Sequence, residues 1–494
     1  MKLNQYLASC GVYLLLNTTL VGCTKITEDA APIMPAVAAV ESNAVGAAGI
    51  AGLNWADARD NFVDDALVLS GTAASDSYAT IQAKADKIIS GFQANTGANT
   101  IRIPINPSTV LGTSWNSYNG AIDKAVSMGM KVIVGCWEAN SSRDGLVDDT
   151  TQFWTMWQTV VAKYGGNANV YFEVFNEPHG YSQTDLGNLY ANWLSRYASV
   201  PRGRVLLGGT GYCQNIIPIG ADSRFSGCLL SIHLYDFFYS NPYTTAADWE
   251  TAFANNLGSY ASRAVLTEYG AFMNTGVNYN SAIGSDVKKS CMLGLTNQCR
   301  KAGISSVYWP GLRTGDSYSL EQFDGTTMTT TNASGLGRIQ FGWGVGSGGT
   351  NTFYPTAYYR IINRNSGQLL DVNGAATTAG AGIIQYLPNN STNQQWQLAG
   401  SGGYYKIQNR NSGQVLDVNG ASTAAAAGVI QYPANGGTNQ QWQLTGTDGD
   451  YFKVINRNSG QALDVNGAST AAAASIIQYP YSGGNNQQWE VWQQ

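Results

Sequence analysis

The sequence is poor in charged residues and contains no long basic run. Only 12% of its 494 residues are Asp, Glu, Lys or Arg, and the formal net charge is −5. This is about half the usual share of charged residues in soluble proteins. Proteins that bind nucleic acid place clustered Lys and Arg against the phosphates, so we expect no nucleic-acid partner here.

Histidine and cysteine are also scarce, with two His and seven Cys in the chain. No CxxC pair or Cys/His cluster suggests zinc, and we expect no metal or organic cofactor. Five cysteines lie in the body of the chain: Cys136, Cys213, Cys228, Cys291 and Cys299. This odd count leaves at least one free thiol unless pairing is intermolecular. In an exported protein, Cys213–Cys228 and Cys291–Cys299 are plausible disulfides. The second pair requires a non-helical turn, because 299 − 291 = 8 residues of helix rise roughly 12 Å.

The apolar stretch near the N terminus is too short to span a bilayer as a stable helix. Lys2 precedes it, and it ends in Leu20-Val21-Gly22-Cys23. This ending resembles a bacterial lipobox, which implies cleavage before Cys23 and lipidation of its thiol; the alternative is an ordinary signal peptide. We therefore expect a signal over residues 1–23, a flexible tether over 24–46, and a secreted or cell-envelope bacterial lipoprotein. Membrane contact is expected only through the lipid.

Glycine and aromatic residues are abundant, with 57 Gly, 28 Tyr and 13 Trp. Aromatic side chains present flat apolar faces with polar edges. Sugar rings have an apolar C–H face rimmed by hydroxyl groups, so this composition suits carbohydrate binding. A loop-rich extracellular protein without sugar contacts is the alternative explanation of the same composition.

An internal repeat occupies the C-terminal part of the chain. Its three copies begin at Tyr358, Tyr404 and Tyr451, with periods of 404 − 358 = 46 and 451 − 404 = 47 residues. Each copy ends in NQQW, at Trp396, Trp442 and Trp489. Short alternating runs with Gly and Asn turns predict strands, so the repeat region is all-β. Three copies of four short strands predict a closed threefold barrel.

The Q-x-W motif in all three copies resembles the ricin-type β-trefoil lectins, carbohydrate-binding family 13. The resemblance covers the predicted domain 355–494 and implies that the three Trp residues build a shared core. The sugar-binding positions it implies are Asp371, Tyr386 and Asn393; Asp417, Tyr432 and Asn439; and Asp464, Tyr479 and Asn486. A carboxylate and an amide suit sugar hydroxyls while a ring stacks on the sugar face. Turn formation is the alternative role of Asp and Asn.

The predicted large domain spans residues 47–341 and is followed by a Gly/Ser-rich linker over 342–354. It contains eight apolar, β-rich runs separated by segments of helical spacing. The runs are 45–55, 99–105, 131–137, 170–178, 204–209, 229–237, 263–270 and 305–311. Eight such alternations predict an α/β fold, the (β/α)₈ TIM barrel, with its active site at the C-terminal strand ends.

Two of these strand ends carry a glutamate in a recognisable setting, Asn176-Glu177-Pro178 and Glu268 within RAVLTEYG. Their order resembles the clan-A glycoside hydrolases, most closely family 5, the cellulase family. The resemblance implies that Glu177 is the acid/base and Glu268 the nucleophile. It also implies the substrate-binding residues Arg102, Trp137, Asn176, His233, Tyr235 and Trp309. Arg102 and Tyr235 are expected to keep Glu268 ionised, and His233 to hydrogen-bond the sugar.

The third strand end departs from the family pattern. Many relatives carry a histidine there, whereas this chain has Trp137 and Glu138. Trp137 either stacks on substrate or plugs the barrel mouth, and Glu138 either binds a hydroxyl or pairs with Arg143. Glu173 lies on the same strand face as Glu177, so we expect it to be an interior charge with a buried partner and not a catalytic group.

The sequence therefore predicts a monomeric, retaining glycosidase of the endo-β-1,4-glucanase type, acting on a polysaccharide and carrying a sugar-binding trefoil. Two carboxylates in different environments are what such cleavage requires. Mannanase, xylanase and galactan-cleaving activities are the alternatives within enzymes. A non-catalytic surface lectin, or adhesin, is the alternative outside them.

Overall fold

The computed structural model describes residues 48–274, 276–279, 285–344, 353, 355–401, 403–447 and 451–493. The predicted signal segment, the lipidation site Cys23, the tether over 24–46 and most of the predicted linker lie outside these ranges. Within the described ranges, no helix combines the length and the apolar character needed to cross a membrane.

Eight parallel strands close into a barrel in which β1 pairs with both β2 and β8. The TIM-barrel prediction is thus confirmed. The strands are β1 Ala51–Trp55, β2 Thr100–Ile105, β3 Lys131–Cys136, β4 Val170–Glu173, β5 Val205–Gly208, β6 Leu229–His233, β7 Ala264–Glu268 and β8 Ser305–Leu312. They are buried on both faces. Short apolar side chains from alternate strands fill the interior, among them Ile133, Leu206 and Val265.

The helices pack around this barrel with their apolar stripes facing inward. They are α1 Tyr78–Gly91, α2 Pro107–Val110, α3 Trp115–Ser127, α4 Thr150–Tyr164, α5 Gln183–Arg196, α6 Ile217–Ala221, α7 Ala246–Leu257, α8 Val287–Ala302 and α9 Ala333–Gly342. Several begin at a side-chain cap, as where Ser182 accepts from the Asp185 amide and Asp149 from the Thr151 amide. Such caps satisfy amides that have no partner within the helix. Between β8 and α9, β9 Glu321–Phe323 and β10 Met328–Thr330 form a separate two-stranded antiparallel sheet.

The five cysteines of the body are all buried and free, so both predicted disulfides are wrong. Cys291 and Cys299 both lie on α8. Eight residues of helix place them roughly 12 Å apart along the axis, which is too far for a disulfide bond. Cys213 follows β5 and is packed against Gly208 instead of reaching Cys228.

The repeats form a second all-β domain of twelve strands. They are β11 Tyr358–Asn363, β12 Leu369–Val372, β13 Ile383–Tyr386, β14 Trp396–Ser401, β15 Tyr404–Asn409, β16 Val415–Val418, β17 Val429–Tyr432, β18 Trp442–Gly446, β19 Tyr451–Asn456, β20 Ala462–Val465, β21 Ile476–Tyr479 and β22 Trp489–Gln493. Six of them, β11, β14, β15, β18, β19 and β22, pair in a closed ring. The other six form three hairpins, so the trefoil prediction is confirmed.

The three tryptophans of the Q-x-W motifs lie in the trefoil core and have no exposed surface. Each indole N–H donates to a backbone carbonyl on the second strand of its own copy. Trp396 bonds Leu370, Trp442 bonds Leu416 and Trp489 bonds Leu463, at 2.9, 3.0 and 3.0 Å. The expectation that these residues are structural is confirmed. The core holds without cysteine.

The trefoil contacts the barrel through residues at which its copies differ. Arg360 on β11 ion-pairs with Glu250 on α7 at 2.9 Å, and both side chains are buried. On the neighbouring strand β22, Glu490 lies 3.7 Å from Arg300 of α8, and the Trp492 ring meets Phe341 of α9 edge-on. The equivalent positions in the other copies are Lys406 and Lys453, Gln397 and Gln443, and Ala399 and Thr445. Departure from threefold symmetry thus marks the surface that packs on the barrel.

Candidate active site

The two predicted catalytic glutamates meet at the C-terminal end of the barrel. Glu268 is the last residue of β7, and Glu177 follows β4. The backbone of Glu177 is left-handed, with φ of 50°. Non-glycine residues rarely adopt this conformation, and where they do it is often at functional sites. The chain therefore turns sharply at Glu177 and presents its carboxyl group to the cleft.

Arg102 on β2 organises the charges beneath the site. Its guanidinium donates to Glu268 Oε1 and Glu173 Oε2, each at 2.5 Å, and to Asn176 Oδ1 at 2.8 Å. A fourth bond goes to Asn54 Oδ1 at 3.0 Å. Buried charges need such partners, because transfer out of water is costly for each unpaired ion. Glu173 thus has the buried partner predicted for it.

His233 lies between the two catalytic carboxyl groups. Its Nδ1 is 3.0 Å from Glu177 Oε1 and 3.6 Å from Glu268 Oε2. Tyr235 donates to the same Glu268 oxygen, at 3.2 Å. Burial lowers the pKa of His233 and raises the pKa of Tyr235 well above its usual value. Both side chains are therefore uncharged at neutral pH.

The two glutamates have different electrostatic environments. Burial raises the pKa of Glu177 to about 7, against the opposing effect of Arg102. Burial also raises the pKa of Glu268, but Arg102 opposes this rise and binds the Glu268 carboxylate directly. A positive charge in contact favours the ionised form. Glu177 is thus suited to hold a proton near neutrality, and Glu268 is suited to remain an anion.

The structure places four of the six predicted substrate-binding residues on the wall of the cleft, namely Trp137, Asn176, Tyr235 and Trp309. The cleft has a volume of about 430 Å³ and also contains both catalytic glutamates. The side-chain amide nitrogen of Asn176 has no hydrogen-bond partner among the described residues. It is available to a substrate hydroxyl, because the amide oxygen is already bound by Arg102.

Arg102 and His233 do not touch the cleft, and their side chains have no exposed surface. The expectation that His233 hydrogen-bonds the sugar stays a prediction. Both residues lie behind the catalytic carboxyl groups, because β2 and β6 direct them into the barrel interior. Their contacts fix the positions and charges of Glu177 and Glu268 instead.

The unusual third strand end has a structural explanation. Trp137 stacks against Trp309 with ring centroids 6.4 Å apart, and the Arg102 guanidinium lies 4.3 Å from the Trp137 ring. Glu138 accepts from the Gly145 amide at 2.9 Å and is buried, so it pairs with neither Arg143 nor solvent. Arg143 lies over the Phe62 ring. Glu138 thus holds the loop after β3.

Sequence analysis missed much of the cleft wall. Loops after β1, β3, β5, β6 and β8 contribute Asp60, Arg143, Tyr212, Phe237, Phe238, Arg313 and Asp316. The signal available for some of them was an aromatic run directly after a strand, as in Asp236-Phe237-Phe238. Loop residues of this kind carry no periodicity, so their placement depended on the closed barrel.

Three residues of the candidate site also form a cluster that could bind a metal ion. Among the described residues, Glu177, His233 and Glu268 offer ligand atoms within 4.8 Å of one another. However, both oxygens of Glu268 already accept hydrogen bonds, one from Arg102 and one from Tyr235. A cation would compete with the buried guanidinium for the same carboxylate.

The three predicted sugar sites of the trefoil are built alike. Asp371, Asp417 and Asp464 each accept from the glutamine of the Q-x-W motif, at 2.8, 2.8 and 2.7 Å. The partnering glutamines are Gln394, Gln440 and Gln487. Asn393, Asn439 and Asn486 donate to backbone carbonyls. Tyr386, Tyr432 and Tyr479 are 40–46% exposed, so each site presents a ring to solvent.

Comparison with known proteins identifies both domains. The family model for cellulase (glycosyl hydrolase family 5) matches residues 69–311. The barrel belongs to glycosyl hydrolase family 5. The family model for the ricin-type β-trefoil lectin domain-like group matches residues 340–432, 392–479 and 438–494. The protein is therefore a glycosidase that carries a carbohydrate-binding domain of the ricin type.

Several solved structures resemble part of the chain. A designed threefold symmetric protein, ThreeFoil, is 51% identical with a TM-score of 0.27, and the match covers 27% of this chain and 97% of that one. An exo-β-1,3-galactanase from Clostridium thermocellum is 39% identical with a TM-score of 0.28, and the match covers 28% of this chain and 30% of that one. The ricin B-like lectin of Macrolepiota procera is 20% identical with a TM-score of 0.25, over 27% of this chain and 93% of its own. No curated protein matches the sequence.

Proposed function

We propose that the protein is a retaining, endo-acting β-glycanase of the endo-β-1,4-glucanase type. The observation that carries the proposal is the proximity of Glu177 and Glu268, whose nearest carboxylate oxygens lie within 4.8 Å. Retaining glycosidases have carboxyl groups about 5–5.5 Å apart, whereas inverting ones leave roughly 6.5–9.5 Å for a water molecule. The short separation favours direct attack by Glu268.

The first step transfers the sugar to the enzyme. An oxygen of Glu268 bonds to the anomeric carbon while the glycosidic C–O bond breaks, and Glu177 gives its proton to the leaving oxygen. The raised pKa of Glu177, about 7, provides the protonated acid for this step. Arg102 and Tyr235 hold Glu268 in place and favour its ionised form.

The second step releases the sugar with retained configuration. The Glu177 carboxylate takes a proton from water, whose oxygen attacks the anomeric carbon as the ester bond to Glu268 breaks. Asn176 is placed beside both carboxyl groups with a free amide donor, which suits the 2-hydroxyl of the reacting sugar. Hydrogen bonds at this position strengthen in the transition state.

The trefoil supports this activity by binding the same polymer. Three similar sites on one rigid domain convert successive binding events into intramolecular ones, which raises the overall affinity. β11 and β22 of the trefoil contact the outer helices of the barrel. These contacts hold the two domains together, which favours binding and cleavage of the same polysaccharide chain or of neighbouring chains.

Hydrolysis of a substrate panel tests the proposal. Carboxymethyl cellulose, mixed-linkage glucan, glucomannan, xylan and galactan are incubated with the protein and with Glu268→Gln. We expect internal cleavage of a β-1,4-glucan, β-configured products by NMR, and no products from the variant. Cleavage of xylan, mannan or galactan alone would assign the enzyme to a different substrate class. Products in the α configuration would exclude the retaining mechanism. Binding without turnover on every polymer would favour a surface lectin.

Attachment to the cell envelope through Cys23 is part of the same proposal and is supported by Leu20-Val21-Gly22-Cys23. In a detergent phase-separation assay, a lipidated protein enters the detergent phase, because each buried methylene of an acyl chain contributes about 0.8 kcal/mol to the transfer. We expect Cys23→Ser to move the protein into the aqueous phase. Aqueous partition of the unaltered protein would contradict lipidation.

A further inference from the structure

One wall of the cleft is aromatic and open to solvent. Tyr212, from the loop after β5, is 41% exposed, and Phe237, from the loop after β6, is 61% exposed. Phe238 is half-buried beside them. We call these three residues the aromatic shelf. Contiguous exposed apolar surface of this kind typically marks a binding site.

The shelf is continuous with the catalytic residues. Tyr212 stacks on His179 with ring centroids 4.0 Å apart, and His179 hydrogen-bonds the Glu177 carbonyl. At the other end, Phe237 stacks on Tyr235 at 4.7 Å, and Tyr235 donates to Glu268. Rings therefore lead outward from both carboxyl groups, so a bound molecule in contact with the shelf lies directly beside the reacting bond.

The backbone beneath Tyr212 is strained. Gly211, Tyr212 and Cys213 are successive left-handed residues, with φ of 65°, 59° and 62°. This conformation is unfavourable for a non-glycine residue and persists only where the surroundings enforce it. Here the buried Cys213 packs on Gly208, which also lies beside Pro178, the residue after Glu177. The turn thus fixes the exposed Tyr212 ring relative to Glu177.

The rest of the cleft wall mixes charged and aromatic side chains. Loops after β1, β3 and β8 contribute the charged residues Asp60, Arg143, Arg313 and Asp316. The same side of the cleft carries the aromatic residues Phe62, Trp137, Trp309 and Tyr318. Apart from the two glutamates, the charged side chains of the cleft therefore lie on loops other than those that carry the shelf. A sugar on the shelf makes contact mainly through its apolar C–H face.

We propose that the aromatic shelf is the binding site for the leaving-group sugar. This inference rests on the proposed function and deepens it. Glu177 protonates the leaving oxygen, so the departing sugar lies on the side of Glu177, and Tyr212 of the shelf stacks on the histidine two residues after Glu177. The ligand class is a β-linked sugar with equatorial substituents, because such a ring has a flat C–H face for stacking.

The shelf also affects the second step. A sugar that occupies it places a hydroxyl where water otherwise attacks. The hydroxyl oxygen then bonds to the anomeric carbon, the ester bond to Glu268 breaks, and Glu177 takes the hydroxyl proton. The product is a longer saccharide instead of a free sugar, so the shelf promotes transfer over hydrolysis.

The test compares two substrates that share a glycone and differ in the leaving group. For β-glucan these are cellotetraose, whose leaving group is a sugar, and β-cellobiosyl fluoride, whose leaving group is too small to reach the shelf. If the protein cleaves a different polymer of the panel, the oligosaccharide and the glycosyl fluoride of that polymer are used instead. In Tyr212→Ala and Phe237→Ala, we expect kcat/KM on the tetraose to fall about tenfold more than on the fluoride, the scale of one aromatic contact. Tyr212→Trp restores the ring and most of the activity.

A matched control is Tyr78→Ala, an exposed tyrosine on the outer helix α1, which leaves both rates unchanged. With cellobiose added as acceptor, the shelf variants also give a lower ratio of transfer to hydrolysis. Equal losses on the two substrates, together with an unchanged transfer ratio, would overturn the shelf proposal and leave the proposed function intact. If the unaltered protein cleaves neither member of any pair, the proposed function fails and the shelf proposal with it.

Discussion

The barrel and the trefoil use buried acidic residues in different arrangements. In the barrel, one guanidinium, Arg102, binds Glu173, Glu268 and Asn176, so the site is a single connected network. In the trefoil, each of three aspartates has its own glutamine partner within its own copy. Substitutions in a shared network are not additive, whereas distant and independent sites add. The comparison predicts that single substitutions in the barrel network have large, non-additive effects on activity and stability. Substitutions in the three trefoil sites should have small, additive effects on binding.

The largest expected effect comes from removal of the general acid. Glu177→Gln should lower kcat/KM on polymer by roughly 10²–10⁴-fold, the usual contribution of general acid–base catalysis. The loss should be smaller on a glycosyl fluoride, because fluoride departs without protonation. Steady-state kinetics on both substrates check this. Equal losses would mean that the substitution disturbs the network and not the proton transfer alone.

Breaking the network at its centre should destabilise the barrel. Arg102→Met leaves Glu173 and Glu268 buried without a cation, and removal of one partner of a buried ion pair costs about 3–5 kcal/mol. Urea unfolding measures the change in free energy. Glu173→Gln in the same background should recover part of the loss, since it removes one uncompensated charge. Additive behaviour of the two substitutions would contradict a shared network.

The surface between the domains offers a comparison between copies of the trefoil. Arg360→Met removes the buried partner of Glu250, whereas Lys406→Met alters the equivalent, exposed position of the second copy. We expect only the first change to increase the rate of proteolytic cleavage, because it leaves a buried charge unpaired. Limited proteolysis followed by mass spectrometry gives the result. Identical digestion of the two variants would disprove the role of Arg360 in docking.

The decline of activity at high pH should reflect Glu177. Its pKa of about 7 means that the acid is protonated below this pH and loses its proton above it. Activity should therefore fall about tenfold per unit as the pH rises beyond about 7. For the fluoride, which needs no acid, this decline should be absent. A shared decline on both substrates would assign the titration to another group.

The smallest effect is expected for one trefoil site. Asp371→Ala removes one of three similar sites, so it should lower the amount of protein bound to insoluble polymer by about a third. Asp417→Ala and Asp464→Ala should each have the same effect. The triple variant should abolish the binding that the trefoil provides. Pull-down with polymer, together with hydrolysis of a soluble oligosaccharide, separates binding from catalysis. A single variant that abolishes all binding would show that only one copy is functional.

Much of this molecule could be predicted from periodicity and motifs. Eight apolar runs indicated the barrel, and the triple Q-x-W indicated the trefoil and its tryptophan core. Glu177 and Glu268 were singled out because Glu177 follows β4 and Glu268 ends β7. The two disulfides were wrong, because Cys291 and Cys299 lie on one helix and Cys213 packs on Gly208. The burial of His233 could not be predicted, because a strand end can point inward or toward the cleft.

By itself, the sequence determined the order of domains, the candidate catalytic carboxylates and the core of each repeat, since these depend on local pattern and on residue type. Only the tertiary structure decided which charged groups contact one another. Arg102 and Glu268 are distant in sequence, and barrel closure brings them within 2.5 Å. Closure also places Tyr212 and Phe237 on one wall, and packing of the trefoil on the barrel buries Arg360 against Glu250. Such contacts depend on how strands and loops are brought together, and no local pattern records that.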